Sequence, residues 1–161
     1  MMNIVTRLFA RRSPVLSEAG ARDARRLAAL HTACFHRGWS EDEFERLLLD
    51  PAVVAHRAMA SDNLVGFILS RCAAGEAEIL SVGVAAAWRG RGLARRLLDL
   101  HLRRLAGLGI RALFLEVDEQ NRAACRLYRR AGFHDVGRRD GYYRDVAGAS
   151  SAALVLRRDL T

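Results

Sequence analysis

Apolar and polar positions change period several times along this chain, and each change marks an element. Between Ser17 and Phe35, Leu27, Leu30, Ala33 and Cys34 recur at helical spacing with Arg22, Asp23, Arg25 and Arg26 among them, which predicts a helix over that span. Ser40-Glu41-Asp42-Glu43 has the form of a capping box, in which serine and the glutamate three residues later satisfy each other's backbone N–H groups. It predicts a second, short helix that runs to about Leu49 and stops before Pro51. The period then shortens. Val53 to Ala60, Leu64 to Cys72 and Glu76 to Val84 are β-leaning runs joined by Ser61-Asp62-Asn63 and Ala74-Gly75, so three antiparallel strands with tight turns are expected.

Helical spacing returns at Leu93, where Leu97, Leu98, His101, Leu102 and Leu105 share a face and Arg95, Arg96, Asp99, Arg103 and Arg104 take the other; Gly107 and Gly109 end the helix. Ala112 to Val117 reads as a buried strand carrying one carboxylate, Glu116, with Leu113, Leu115 and Val117 on the opposite face. Asn121 to Ala131 is a fourth helix closed by Gly132. Phe133 to Arg138 and Ala152 to Leu156 are late strands around a turn at Asp140-Gly141. The predicted order is two helices, three strands, helix, strand, helix, two strands, a mixed α/β domain without repeats.

The turn Arg89-Gly90-Arg91-Gly92-Leu93-Ala94 joins a strand to a helix. Such a turn gathers unpaired N–H groups at the positive end of the helix dipole, and its glycines let a phosphate approach. A mononucleotide P-loop would need a lysine, and the chain has none; a dinucleotide fingerprint would need a third glycine where Arg95 stands. A pyrophosphate cradle and a plain strand-to-helix turn remain the two readings of the loop alone.

As written, Arg-x-x-Gly-x-Ala after a strand resembles the acyl-coenzyme A loop of the GNAT N-acetyltransferases. Downstream, Glu116-Val117, Asn121, Leu127-Tyr128 and Gly132-Phe133 look like the second half of a GNAT domain. Trp39-Ser40-Glu41 and Arg138-Arg139-Asp140-Gly141-Tyr142-Tyr143 resemble the RimI branch, the ribosomal-protein alanine N-acetyltransferases. The resemblance covers about Val15 to Leu156. One departure is Arg37-Gly38-Trp39, where the family often has Phe-Pro-Trp, so the wall touching the substrate is expected to differ in shape.

The resemblance implies a GNAT fold, a mixed, mostly antiparallel sheet flanked by helices in a single domain, with acetyl-CoA as cofactor. It assigns the cofactor to Val82, Gly83 and Val84, to Arg89, Gly90, Arg91, Gly92, Leu93, Ala94 and Arg95, and to Asn121 at the pantetheine arm. Glu116 is the implied general base, with Glu78 as runner-up, and Tyr128, twelve positions after Glu116, is the implied acid for the leaving thiolate. Trp39, Tyr142 and Tyr143 are the implied walls of a peptide slot. Each has a plainer alternative: an arginine-paired acid for Glu116, a helix cap for Asn121, core aromatics for the rest. The expected reaction is acetylation of a protein N-terminal α-amine, with a ribosomal protein as the leading substrate. The rivals are a GNAT acting on a small amine or a lysine side chain, and a non-catalytic, RNA- or ribosome-associated module that keeps the cofactor cleft.

Composition narrows the rest. At 161 residues the chain fits one domain, expected over 13–161 behind an N-terminal extension of residues 1–12 too short in its apolar centre for a secretory signal. No apolar stretch is long enough to span a bilayer. Cys34, Cys72 and Cys125 form no C-x-x-C pair and the five histidines no ligand spacing, so no disulfide framework and no metal are expected, and a reducing, cytoplasmic setting follows. The net charge of +8 comes with 26 basic residues, all arginine. Their spread favours a general positive field, attractive to coenzyme A phosphates, ribosomal RNA or acidic peptides, although paired surface arginines are usually solvated helix faces. Neither a specific nucleic-acid partner nor a membrane partner is expected.

Overall fold

The computed structural model describes residues 12–160, so the extension expected at 1–12 lies, apart from Arg12, outside the described residues. Among the described residues, seven strands and four α-helices follow one another as β1 (Val15–Glu18), α1 (Ala24–Cys34), α2 (Glu41–Leu49), β2 (Val53–Ala60), β3 (Asn63–Ala73), β4 (Glu76–Val84), α3 (Leu93–Gly107), β5 (Ala112–Asp118), α4 (Arg122–Arg130), β6 (His134–Arg144) and β7 (Ser150–Asp159). The strands form one sheet in the order β1-β2-β3-β4-β5-β7-β6, antiparallel except for the β4–β5 pair.

Two expectations are corrected. The helix expected from Ser17 begins only at Ala24, because Val15 to Glu18 pair with Met59 to His56 as an edge strand. Gly20, in extended backbone, then starts a short 3-10 turn. Its N–H donates to the buried Asp23 carboxylate at 2.9 Å, and Arg57 of β2 pairs with the same carboxylate. The late hairpin does not turn at Asp140-Gly141. It turns at Asp145 to Ala149, where Asp145 N–H donates to Ala149 O at 2.9 Å and Ala149 N–H to Asp145 Oδ1 at 2.8 Å. Gly141, at φ 65°, sits inside β6 in a break of register that leaves two extra residues between Arg139 and Tyr143.

The sheet separates two apolar layers. On one face α3 and α4 bury Leu97, Leu105, Leu113, Leu115, Leu156 and Tyr128; on the other α1 and α2 bury Leu27 and Phe44 against Phe67 and Leu69. Each such leucine or phenylalanine removed from water stabilises the fold by about 1.5–3 kcal/mol. One polar chain crosses the first layer. His101 of α3 is fully buried, its Nε2 2.7 Å from Ser70 Oγ of β3 and its Nδ1 2.8 Å from His56 Nδ1 of β2. Among the described residues no helix is long and apolar enough to cross a membrane.

Two irregularities in β4 shape the centre. Its parallel pairing with β5 covers only Glu76, Ala77 and Glu78, after which the two strands separate. Just beyond, Leu69 faces Ser81 and Ser70 faces Ile79, so Leu80 is an extra residue on β4, a bulge. The bulge changes which residues share a face. Ala77 and Ile79 pack on the α3–α4 side before it, and Val82 and Val84 pack there after it, while Leu80 packs with the α1–α2 layer. Gly83 also turns toward that layer, and a Cβ there would come within 2.5 Å of the Phe67 ring.

Candidate active site

On the α3–α4 face, the space opened by the diverging strands is a cavity of about 380 Å³. Val82, Gly83 and Val84 of β4 form one wall, the turn residues Trp88, Arg89, Gly90 and Gly92 with Leu93, Ala94 and Arg95 of α3 a second, and Ala123, Ala124, Leu127 and Tyr128 of α4 a third. Gly90 (φ 71°) and Gly92 (φ 78°) are both left-handed, and a Cβ at either would meet no atom within 4 Å. They are glycines because the turn demands that backbone, and they leave its surface open. No side chain caps α3 and no acidic residue stands in its first turn, so its N-terminal amides remain available to an anion. An open backbone cradle at one end and a mainly apolar channel at the other suit a phosphate-bearing cofactor with a long flexible arm.

Three residues expected at the cofactor have other occupations. Arg89 Nε donates to Val84 O at 2.9 Å, tying the turn back to β4, although the side chain still borders the cavity. Arg91 lies outside the lining, its guanidinium 5.4 Å from the centre of the Trp88 indole. Asn121 is also outside it: its Oδ1 accepts from Ala124 N–H at 3.2 Å and caps α4. Tyr128 is 7% exposed, packs edge-on against Phe133, and borders the cavity with a hydroxyl that has no hydrogen-bond partner among the described residues. Burial, and secondarily Cys125, pushes its phenol up to about 12. At neutral pH it is a proton donor.

The opposite face holds a second cavity, of about 350 Å³, whose walls are Trp39, Leu47, Arg71, Ile79, Leu80 and Tyr143, with the carboxylates of Glu78 and Glu116 on the two diverging strands. Glu116 thus shares no cavity with Tyr128; the sheet opening lies between them. Its carboxylate is 3.1 Å from Arg139 Nη1, so in this state Glu116 is paired with an arginine. Tyr142 lies outside this lining, beside Arg139 and edge-on to Tyr143. Burial, then the charge of Glu116, raises the Tyr143 phenol above its ordinary value.

Trp39 is held by its backbone and its ring. Its N–H donates to His31 Nδ1 at 3.1 Å, and the indole stacks on the imidazole with centres 4.5 Å apart. Burial lowers the pKa of His31, which keeps that nitrogen an acceptor, although Glu43 opposes the shift. The unusual Arg37-Gly38-Trp39 sequence has a steric cause, since a Cβ at Gly38 would come within 2.9 Å of the Thr32 backbone. The capping box forms as expected, with Ser40 N–H to Glu43 Oε2 at 2.7 Å and Glu43 N–H to Ser40 Oγ at 3.2 Å.

Sequence reasoning assigned no role to Trp88, Ala123, Ala124 and Leu127 on the first face, or to Leu47, Arg71 and Arg139 on the second. The apolar spacing of Ala124, Leu127 and Tyr128 could have placed the α4 residues; nothing local marks Arg139 as the partner of Glu116.

The profile of the acetyltransferase (GNAT) family matches residues 24–133. N-alpha-acetyltransferase RimI of Mycobacterium tuberculosis is 39% identical over 143 residues, 85% of this chain and 87% of that protein. The [ribosomal protein bS18]-alanine N-acetyltransferase of Haemophilus ducreyi is 30% identical over 95 residues, 59% of this chain and 66% of that one. Among solved structures, the ribosomal-protein-S18-alanine N-acetyltransferase from Escherichia coli superposes with a TM-score of 0.86 at 22% identity, covering 92% of this chain and 94% of that one. Diverging parallel strands, a glycine cradle at a helix start and a family match across more than half the sequence agree: this chain belongs to the GNAT acetyltransferase family.

Proposed function

We propose that this protein acetylates the free α-amine of a protein N-terminus, and that its substrate is a ribosomal protein. The observation that carries the reading is the placement of two cavities on opposite faces of one opening in the sheet, the cradle and Tyr128 on one side and paired carboxylates between aromatic walls on the other. The names of the bacterial relatives support the choice of substrate.

Acetyl-CoA supplies the acetyl group as an activated thioester. The chain's residues do the rest. An α-amine titrates near 8 and so is largely protonated at neutral pH. Glu78 and Glu116 attract that ammonium, and Glu116 takes its proton once Arg139 has given way to the incoming cation. Val82 to Val84, beyond the last β4–β5 pair, offer backbone groups to the cofactor's arm, and one N–H there can polarise the carbonyl under attack. Tyr128 gives its proton to the departing thiolate. Trp39 and Tyr143 flank the acceptor side and favour an extended chain end over a bulky folded surface.

The domain extends over 13–161 in this reading, and the protein works in the cytoplasm, where Cys34, Cys72 and Cys125 persist as the free thiols found here. The test is an acetylation assay on short peptides. A peptide with a free N-terminal Ala should be acetylated, and its N-terminally blocked counterpart with an internal Lys should not. The reverse preference, or activity on small amines alone, overturns the N-terminal reading.

A further inference from the structure

We propose that the groove between α4 and the β6–β7 hairpin is a docking surface for the phosphate backbone of RNA, held by charge and without base recognition. This groove of about 450 Å³ is separate from both cavities of the site. It is lined by Arg122, Arg126 and Arg129 of α4 and Arg138 of β6, against Glu119 and Asp135. Four guanidiniums less the two carboxylates of the lining leave +2, and Asp140, which pairs with Arg138 from outside the lining, lowers that to +1. Arg129 is committed to Asp135 at 3.0 Å, and Arg138 to both Glu119 and Asp140 at 2.7 Å. Arg122 and Arg126 are exposed, and their guanidiniums have neither an ion pair nor a hydrogen bond among the described residues. The two paired arginines fix the shape of the groove, and the two free ones give it unspent charge.

Geometry selects the ligand. Arg122, Arg126 and Arg129 follow one stripe of α4, and from first to last they span about 10 Å at 1.5 Å per residue. That is more than one small anion needs and enough to follow successive phosphates of a strand. The other stripe of the same helix, Ala123, Ala124, Leu127 and Tyr128, faces the acetyl-donor cavity, so the arginines point away from the cofactor. An acidic protein fits less well. Stable protein interfaces centre on buried aromatic or aliphatic anchors, and the only apolar residues in this lining are Cys125 and Leu154. Half-exposed arginines in an open groove suit a backbone passing by, the sequence-independent mode that dominates phosphate recognition. The inference does not depend on which amine is acetylated.

The test titrates a fluorescein-labelled single-stranded RNA of about 20 nucleotides with the full chain, reading anisotropy from about 50 to 200 mM salt. Each phosphate contact on a single strand contributes about 0.7 to the slope of log affinity against log salt. Arg122→Gln/Arg126→Gln should therefore flatten the slope by about 1.4 and weaken binding about 25-fold at 0.1 M salt. Arg25→Gln/Arg26→Gln removes the same charge from exposed positions of α1, on the far face of the sheet, and should leave the slope nearly unchanged. Equal losses in the two double variants would mean diffuse attraction to a basic protein and overturn the groove. A raised KM for acetyl-CoA in the first variant would assign the arginines to the cofactor and also overturn it. So would tighter binding of a polyglutamate peptide than of the RNA.

Discussion

Mild acid should destabilise this fold, with His101 as the largest single cause. The residue is fully buried on α3, between Ser70 Oγ and His56 Nδ1. Burial, and then the neighbouring His56, lowers its pKa from 6.5 to about 3. With the folded value below the unfolded one, the unfolded chain binds a proton that the folded chain refuses. The contribution is whole above pH 6.5 and drains away as the pH falls toward 3. At about 1.36 kcal/mol per pH unit that interval is worth about 5 kcal/mol, of which about 2 kcal/mol is lost by pH 5. Burial lowers His56 and His31 as well, in the same direction. Urea unfolding followed by fluorescence of Trp39 and Trp88 at pH 8, 7, 6 and 5 measures the loss, and for a slope of about 2 kcal/mol per molar the midpoint should fall by about 1 M. His101→Gln, which keeps hydrogen-bonding capacity but does not titrate, should start less stable and lose much less on acidification. A parent midpoint constant from pH 8 to 5, or a variant that falls in parallel with the parent, would refute the assignment.

Two further outcomes test the donor side. Tyr128→Phe keeps the ring against Phe133 and removes the proton donor, so kcat should fall by about 10²-fold while acetyl-CoA affinity in calorimetry stays near the parent's; equal losses in both would indicate packing alone. Gly92→Asp puts a carboxylate and a left-handed non-glycine residue at the cradle, and acetyl-CoA affinity should drop by about tenfold or more; unchanged affinity would remove the cradle from the binding site.

Much of the architecture was legible because its signals are local. The capping box at Ser40, the helical stripe from Leu93 and the alternation around Glu116 each depend on neighbours within a few residues, and each element stands where those patterns place it. The failures are non-local. Val15 to Glu18 is too short to show a period, and only its pairing with β2 makes it a strand. Asp140-Gly141 carries a hairpin signal that a break of register inside a strand satisfies equally well, since both need a left-handed glycine. Within the candidate site, that the glycine turn and Tyr128 line one cavity follows from glycine spacing and a helix stripe, both written in consecutive residues. The pairing of Glu116 with Arg139 joins positions far apart in the chain, and no spacing rule reports it.

The bulge at Leu80 sets a reading frame for the wall of the cavity on the α3–α4 face. Upstream of it odd-numbered residues of β4 pack toward α3, and downstream even-numbered ones do, so one added residue decides that Val82 and Val84 pack on that face while Gly83 spares the Phe67 ring. Substituting Leu80 alters one side chain. Deleting it would restore simple alternation with every later residue still on its present face, whereas keeping Leu80 in regular, unbulged pairing would turn the two valines toward Phe67 and the glycine toward the cavity. Within this strand the facing of Val82 to Val84 thus depends on Leu80 being looped out of the pairing and not on which side chain stands there.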